Sequence, residues 1–444
     1  MIFPLSKFRF SLFCFSLISL IVPTYYIPLF AVGRGGLALR SFDLVILLLP
    51  ILSLFAPVGW WEPRRYLVML FWMGAFAASV AVSTGILFLA NHPDEVEVNR
   101  IVRAVIRLYE TFVLAVVAIN AVRHLTVHQA INVILVICAV LPVSSLYTDL
   151  TTGGDSTRIG GYAVKGSADL GIEGRFSEQA NFNELGALCG ALGAGSGGLF
   201  FVSKTRRLRI IYLVALLLYT TGTVLTASRS GLLAEAIGLS FAALFLRGSL
   251  IWRCLILVVP LVLIATNPRL ADIIYGRVFE TFLEGSHPHM SASLRIDSML
   301  SAWNVFLAHP CLGVGYAAFR HFSLEGFITP ECYYLEILAD LGLCGAVAFC
   351  GIAVFPVWQG WRLVGEAREL FLAAGVVPVV TILVSSVSGN NLFDPSLMML
   401  LLIFLGFAFA QQPVWKTPQR LGIRCGAPRR APGLSSSWKS ATRP

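Results

Sequence analysis

Long uncharged apolar runs recur from one end of the chain to the other, and they exclude a soluble globular fold. Apolar residues make up 57% of the sequence and charged residues only 13%. A helical membrane crossing needs roughly 20 mostly apolar residues. Suitable runs cover residues 10–31, 37–57, 66–90, 104–122, 126–147, 181–202, 207–225, 230–246, 250–267, 332–357, 370–388 and 395–411. The sequence therefore predicts an all-α polytopic membrane protein with about twelve transmembrane helices.

The distribution of lysine and arginine predicts the orientation, because positive residues near the ends of spans are retained in the cytoplasm. With a cytoplasmic N-terminus, twenty positive residues fall in the inner loops and tail, against six in the short outer loops. An even number of spans places both termini in the cytoplasm. The basic tail accounts for much of the net charge of +9, so its expected partner is anionic membrane lipid, and no nucleic acid is needed to explain the charge.

This topology divides the chain into six regions. Membrane helices 1–5 occupy residues 1–147, helices 6–9 residues 181–267, and helices 10–12 residues 332–411. Two outer loops, residues 148–180 and the large loop 268–331 between helices 9 and 10, are too long to be simple connections. The tail, residues 412–444, is predicted to be disordered and cytoplasmic.

The cysteines and histidines follow no metal-binding pattern. The nine cysteines are scattered, and the histidines of the large loop match no ligand spacing, so we predict no metal and no cofactor. Cys311 and Cys332 both fall on the outer side, where an oxidising compartment would permit a disulfide.

Three stretches on the outer side carry the strongest functional signal. Residues 174–183 (GRFSEQANFN) lead from a loop into the sixth span, and residues 226–231 (TASRSG) form a tight turn that opens the eighth. The third stretch contains Arg295, then residues 309–316 (HPCLGVGY), then residues 334–342 (YLEILADLG).

In this order the three stretches resemble the bacterial O-antigen ligase and polymerase superfamily, whose members show a Ser-Arg-Ser/Gly turn and, after a large loop, a His-Pro-Leu-Gly-Val-Gly-like segment. The resemblance spans residues 174–340. It implies a metal-independent glycosyltransferase of the inner membrane. Such an enzyme moves glycans from an undecaprenyl diphosphate carrier to an acceptor at the periplasmic face, so the outer loops would be periplasmic.

Arginines suit this chemistry, because a guanidinium binds phosphate oxygens bidentately and stays charged beside a bilayer. We predict that Arg229 and Arg295 clamp the diphosphate and stabilise the charge that develops as the glycosidic bond breaks. Arg175 would assist or position the sugar. The remaining predicted substrate-binding residues are Arg103, Arg107, Ser228 and Ser230. For each arginine the alternative is a side chain that extends to lipid headgroups, and Arg103 and Arg107 could instead pair with charges on other helices.

The predicted general base is Glu331. The family usually has a histidine just before the span that follows the large loop, and this chain has Glu331 there. A carboxylate can act as the base if its neighbours tune it. The structural alternative is an acidic residue that stabilises the start of a helix.

The sequence therefore predicts a polymerase that joins lipid-linked oligosaccharide repeats into exopolysaccharide or O-antigen. A chain-length regulator and a flippase are its expected partners. Two alternatives remain: an O-antigen ligase that transfers glycan to lipid A-core, and a lipid-linked glycan flippase or other transporter. A transporter would carry polar sites near the middle of the membrane.

Overall fold

The computed structural model describes the larger part of the chain. The described residues are 11–14, 17, 67–91, 93, 95–122, 125–143, 146, 158–159, 162–163, 182–226, 228–246, 251, 253–254, 258, 262, 265–266, 290–323, 330–389, 392 and 395–410. Most of the predicted spans 10–31 and 250–267, all of the predicted span 37–57, and the basic tail lie outside them.

Helices dominate the described residues. In chain order they are α1 (Leu67–Asn91), α2 (Glu95–Val122), α3 (Val127–Cys138), α4 (Phe182–Val202), α5 (Arg206–Leu225), α6 (Arg229–Phe245), α7 (Met290–Ala308), α8 (Phe319–Phe322), α9 (Tyr333–Trp361), α10 (Glu366–Phe371), α11 (Val377–Ser385) and α12 (Pro395–Ala410). A π-helical turn, Leu372–Val376, joins α10 to α11. Two short strands, β1 (Arg158–Ile159) and β2 (Tyr162–Ala163), pair antiparallel within the predicted 148–180 loop.

The structure confirms a helical, multi-pass membrane architecture. Within the described residues, six helical segments are long and apolar enough to cross a bilayer: Leu67–Ala90, Glu97–Val122, Glu184–Val202, Arg206–Leu225, Tyr333–Trp361 and Glu366–Ser385. Shorter apolar helices cover Val127–Val143, Ser230–Phe245 and Leu397–Phe409. All nine coincide with predicted spans. The total of twelve and the orientation stay predictions.

Two boundaries differ from the sequence prediction for physical reasons. Helix α2 begins at Glu95, nine residues before the predicted start at 104, because its first turns carry charged side chains that pair with one another and with the neighbouring loop. The large loop, 268–331, is also not a single irregular connection, since it contains α7 and α8. Helix α7 packs along α9 and forms part of the folded core.

A glycine face on α4 brings three helices into close contact. A Cβ atom on Gly190 would lie 3.1 Å from the carbonyl oxygen of Gly231 in α6, and one on Gly186 would lie 2.7 Å from the Cβ atom of Ser228. On the far side of the same helix, Gly195 faces Pro378 of α11. Small residues let membrane helices approach until their backbones touch. The Gly186–Gly190 pair therefore serves helix packing.

Contacts between helix termini define one end of the bundle, which we call the motif end. Here the last turn of α5 meets the first turns of α4 and α6, since Gly186 lies against Thr226 and Ser228. The backbone N–H of Tyr333, the first residue of α9, donates to the carbonyl oxygen of Ser386 at 3.1 Å, just after α11. Ser83, in the second half of α1, donates to the Asp340 carbonyl oxygen at 2.8 Å. The start of α9 and the Ser-Arg-Ser turn therefore share this end.

Helix α9 is broken at Gly342. This residue has φ 60° and ψ −159°, a backbone conformation that is essentially confined to glycine. The break interrupts the helical hydrogen-bond ladder, so the carbonyl groups before it and the N–H groups after it need other partners. Non-helical backbone at membrane depth is tolerated only where protein surrounds it.

Residues 310–315, which we call the docked segment, supply those partners. Val314 and Gly315 donate backbone N–H bonds to the Ala339 and Asp340 carbonyl oxygens at 3.0 and 2.9 Å. In return, the N–H groups of Leu343 and Cys344 donate to the carbonyl oxygens of Pro310 and Cys311 at 2.8 and 3.2 Å. The His-Pro-Cys-Leu-Gly-Val-Gly motif therefore completes a broken helix through its backbone.

The glycines of the motif are required by this close approach. Gly313 and Gly315 have φ values of +65° and +115°. A Cβ atom on Gly313 would lie 2.2 Å from the carbonyl carbon of Asp340, and one on Gly342 would lie 2.5 Å from the carbonyl carbon of Cys311. The two backbones are thus in direct contact.

Candidate active site

The Ser-Arg-Ser turn is built around a buried helix cap. Ser228 is the N-cap of α6, and its Oγ accepts the N–H of Gly231 at 3.1 Å. The Oγ atoms of Ser228 and Ser230 lie 3.1 Å apart. Capping requires a short side-chain oxygen at this position, which explains Ser228. Its predicted role in substrate binding stays a prediction.

The cap makes Arg229 the first residue of α6, at the motif end. The structure describes the backbone of Arg229 but not its side chain. A helix N-terminus carries partial positive charge and attracts anions. Arg175 lies outside the described residues, so its predicted role also stays a prediction.

Arg295 and Glu331 come together at the motif end. Arg295 lies near the start of α7, and Glu331 lies two residues before α9. The Nε atom of Arg295 is 4.0 Å from Oε2 of Glu331, and their side chains are 41% and 32% exposed. Two residues that the sequence proposed separately, as anion clamp and as base, therefore form one partly solvent-accessible ion pair.

The backbone at Glu331 is unusual. Glu331 has φ +50°, a left-handed conformation that residues other than glycine adopt infrequently. Such conformations persist where the surroundings impose them, and they concentrate at functional sites. Cys332 follows as the N-cap of α9 with no side-chain capping bond. Cys311 and Cys332 are both free cysteines, so the disulfide considered from the sequence is not formed.

A charged face of α2 lies against the loop that follows the docked segment. Arg100 donates from its guanidinium to the carbonyl oxygen of Ala317 at 2.8 Å and to Oε1 of Glu97 at 2.5 Å. Arg103 and Arg107 are half-buried farther along the helix. The start of this face therefore pairs within α2 and with the loop. The roles of Arg103 and Arg107 stay predictions.

Tyr316 lies buried where this face meets α9. Burial raises the pKa of its hydroxyl above the ordinary value, and the nearby Glu336 and Asp340 carboxylates raise it further. The Arg107 guanidinium acts in the opposite direction on the same pKa. The backbone N–H of Tyr316 donates to Oγ1 of Thr84 at 3.3 Å. Arg107 therefore lies within electrostatic range of a buried cluster on α9.

Asp340 has a structural role that sequence reasoning missed. The side chain is fully buried, and its carboxylate accepts the N–H groups of Ala317 and Phe319 at 2.6 and 3.0 Å. Asp340, a residue of α9, therefore caps the N-terminus of α8. A detectable signal exists in the sequence, because an acidic residue two positions before a glycine lies inside a mostly apolar span.

A groove runs along another side of α7. It has a volume of about 460 Å³, and its lining residues are Asp297, Leu300, Ser301, Asn304, Val305, Ala308, His309 and Phe322. None of these was among the predicted site residues. Within the described ranges, no group of three or more His, Cys, Asp or Glu side chains is placed to hold a metal ion. Independence from metal remains a prediction.

The helices, the docked segment and the Arg295–Glu331 pair define a multi-pass membrane protein with a polar, partly charged site at one end of its bundle. A family model described as O-antigen ligase matches residues 213–350. The matched region runs from α5 to the second half of α9 and includes the described features of the motif end except α1, α2, the start of α4 and the end of α11. This match supports membership of the O-antigen ligase/polymerase superfamily. Members are glycosyltransferase-like enzymes that act on lipid-linked glycans. No curated protein matches the chain.

Proposed function

We propose that the protein is a polymerase that joins undecaprenyl-diphosphate-linked oligosaccharide repeats into exopolysaccharide or O-antigen. The observation that carries this proposal is the Arg295–Glu331 pair, which places an anion-binding group beside a potential base. Superfamily membership supplies the class of reaction and substrate. We further propose that the motif end faces the periplasm, that the bilayer is the inner membrane, and that both termini are cytoplasmic.

The proposed step is the displacement of a lipid diphosphate by a sugar hydroxyl. The acceptor hydroxyl oxygen forms a bond to the anomeric carbon of the donor glycan, while the bond from that carbon to the phosphate oxygen breaks. The diphosphate leaves with the bonding electron pair, and Glu331 takes the hydroxyl proton. Free enzyme is restored when Glu331 returns that proton to solvent.

The geometry of the pair suits this division of roles. The Glu331 carboxylate lies nearest to Nε of Arg295. A guanidinium has five N–H donors in total, and four of them are on the two terminal nitrogens. Donors on the terminal nitrogens can therefore bind phosphate oxygens while Nε stays beside Glu331. Fixed positive charge facing a leaving diphosphate stabilises the transition state more than the ground state. Arg229, at the start of α6, would supply the second guanidinium.

A ligase remains the second candidate, because the matched family model is described as O-antigen ligase. Polymerase and ligase would share donor chemistry and differ in the acceptor. The presence of Glu331 where the family usually has histidine favours a departure from the ligase branch. We propose a chain-length regulator and a flippase as partners, since a polymerase needs a supply of donor on the outer face.

The test is a transfer assay with purified protein in nanodiscs. The donor is a synthetic undecaprenyl diphosphate oligosaccharide, and EDTA is present throughout. A ladder of repeat lengths is expected for the wild type. We expect Arg295→Ala and Glu331→Gln each to reduce the rate about 100-fold or more. Arg295→Lys should give an intermediate rate, because it keeps the charge and loses the planar fork.

Arg362→Ala is the matched control. Arg362 lies at the opposite end of α9, with its guanidinium 3.6 Å from the centre of the Trp358 ring, so its loss should leave the ladder intact. If Arg295→Ala gives the same ladder as the wild type, Arg295 does not clamp the diphosphate. Transfer that requires lipid A-core would assign the protein as a ligase, and absence of transfer with either acceptor would favour transport.

A further inference from the structure

Helix α7 separates two chemically different surfaces. Arg295 and Asp297 are two residues apart, which corresponds to about 200° around a helix, so they emerge on nearly opposite sides. Arg295 meets Glu331. Asp297 lines the groove described above, whose described lining includes no arginine or lysine. A diphosphate therefore fits the first side and is disfavoured on the second.

The groove combines polar hydrogen-bonding groups with apolar surface. Asp297, Ser301, Asn304 and His309 offer donors and acceptors of several kinds, while Phe322 supplies an aromatic ring. The His309 and Phe322 rings meet edge to face, with centroids 6.0 Å apart. Ligand pockets commonly have this mixture and a volume of roughly 300–1,000 Å³. Sugars present hydroxyl edges and apolar C–H faces, so an uncharged glycan matches the lining.

The position of α7 brings this groove close to the bilayer surface. Ala302 and Val305 pack in one buried cluster with Leu87 and Ile101, which lie within about two turns of the motif-end termini of α1 and α2. The helix thus packs at the level where spans end.

An apolar stripe on α7 supports the same placement. Ile296, Leu300, Trp303 and Leu307 recur at helical spacing and are exposed by 59%, 55%, 43% and 58%. A helix with one apolar face that includes tryptophan is typical of a bilayer surface. The stripe adjoins the groove, because Leu300 belongs to both.

We propose that the groove between α7 and α8 binds the uncharged sugar portion of the membrane-tethered substrate, on the side of α7 away from the diphosphate. This inference rests on the proposed function for its choice of a glycan. The groove extends along α7 from Asp297 to Ala308, about 16 Å by helical rise. It can therefore contact several sugar residues, and it determines which repeat the enzyme accepts without touching the reacting atoms.

Glycan binding can be measured without turnover. The probes are oligosaccharides of one to four repeat units, cut from the polysaccharide of the producing cell and free of lipid and phosphate. Binding to the full-length protein in nanodiscs is followed by saturation-transfer difference NMR. We expect the wild type to bind with an affinity that rises with length until the groove is filled. Asn304→Trp, which fills the groove from an exposed position, should raise the Kd at least tenfold.

Two further variants keep the result interpretable. Leu307→Ala changes an exposed residue of α7 outside the groove and should leave the Kd unchanged. Arg295→Ala should retain glycan binding even though it slows transfer, so the experiment can separate a failure of the groove proposal from a failure of the proposed transfer reaction. The inference is wrong if the wild type shows no saturable binding at any length, or if Asn304→Trp binds as the wild type does.

Discussion

Glycine serves the α4–α6 contact and the α9 break in opposite ways. In the α4–α6 contact, the helices stay regular, and a Cβ atom on Gly231 would lie 2.8 Å from the carbonyl carbon of Gly186. At Gly342 the backbone leaves the helical region altogether. The first glycine sets a distance between two intact helices, whereas the second redirects the hydrogen bonds of one helix toward another segment.

This contrast shows where the chain uses irregular backbone. The α4–α6 contact fixes the Ser-Arg-Ser turn at a helix start through ordinary packing. The α9 break fixes the docked segment, and through it Asp340 holds the turn at residues 317–319. The arrangement around Arg295 and Glu331 therefore depends on two kinds of glycine, and substitutions can tell them apart.

The largest effect is expected for Gly342→Ala. The new Cβ atom would meet the Cys311 backbone at 2.5 Å in a conformation that side chains rarely adopt. We expect the free energy of unfolding to fall by about 4 kcal/mol or more, with little folded protein recovered. The measurement is a thermal melt monitored by size-exclusion chromatography.

Gly365→Ala is its control, because Gly365 also has positive φ, +61°, but nothing lies within 4 Å of its added Cβ atom. Only the conformational cost of about 1–3 kcal/mol remains there. Equal losses in the two variants would show that contact with the docked segment is unimportant.

The next effect is expected for Asp340→Leu. This change leaves the N–H groups of Ala317 and Phe319 without their acceptor in a buried site. We expect a loss of about 2–4 kcal/mol in unfolding free energy, together with slower glycan transfer. Asp340→Asn keeps a carbonyl acceptor and should recover at least half of that loss. If Asn behaves like Leu, the negative charge matters more than the cap.

A smaller effect is expected for Gly231→Ala. The added methyl group presses on the α4 backbone and forces the two helices apart, at a cost of about 1–3 kcal/mol. Gly74→Ala is the comparison, since nothing lies within 4 Å of its Cβ position, and it should be neutral or slightly stabilising. The difference in melting temperature between Gly231→Ala and Gly74→Ala measures the effect of the α4–α6 contact. Similar melting temperatures would mean that the helices adjust without strain.

The smallest effect concerns pH and Tyr316. Its pKa is raised in the folded protein, so the protonated hydroxyl contributes stability that is complete below the unfolded pKa near 10 and is lost as pH rises above it. The wild type should therefore lose more stability than Tyr316→Phe over the first unit above pH 10, by less than about 1.4 kcal/mol. Melts at pH 8 and pH 11 test this. A steeper loss in the variant would contradict burial as the cause.

Much of the helical scaffold was predictable from the sequence. Apolar runs of membrane length identified helices such as α1, α4 and α9, because the bilayer imposes one length and one composition on every span. The start of α2 was placed too far along the chain, because a hydropathy pattern counts Glu97 and Arg100 as polar and does not show that they pair. The two helices of the large loop were missed for a related reason: α7 divides its apolar residues between a buried face and an exposed stripe.

The site was predictable in its residue types and less so in its arrangement. The motif order pointed to Arg295 and Glu331, and the structure brings these two together. Ser228 was assigned to substrate, whereas its observed contact is a helix cap. The roles of Arg175 and the Arg229 side chain remain predictions.

Local features of the sequence were enough to specify the membrane environment, the positions of most described helices and the motifs that mark one end of them. These follow from composition and spacing, which act locally along the chain. Three-dimensional packing was needed to establish that the docked segment completes a helix broken at Gly342, that Asp340 caps α8, and that α7 carries the Arg295–Glu331 pair and a groove on opposite sides. Those features depend on hydrogen bonds and contacts between residues far apart in sequence, and the order of residues alone does not specify which backbone groups will meet.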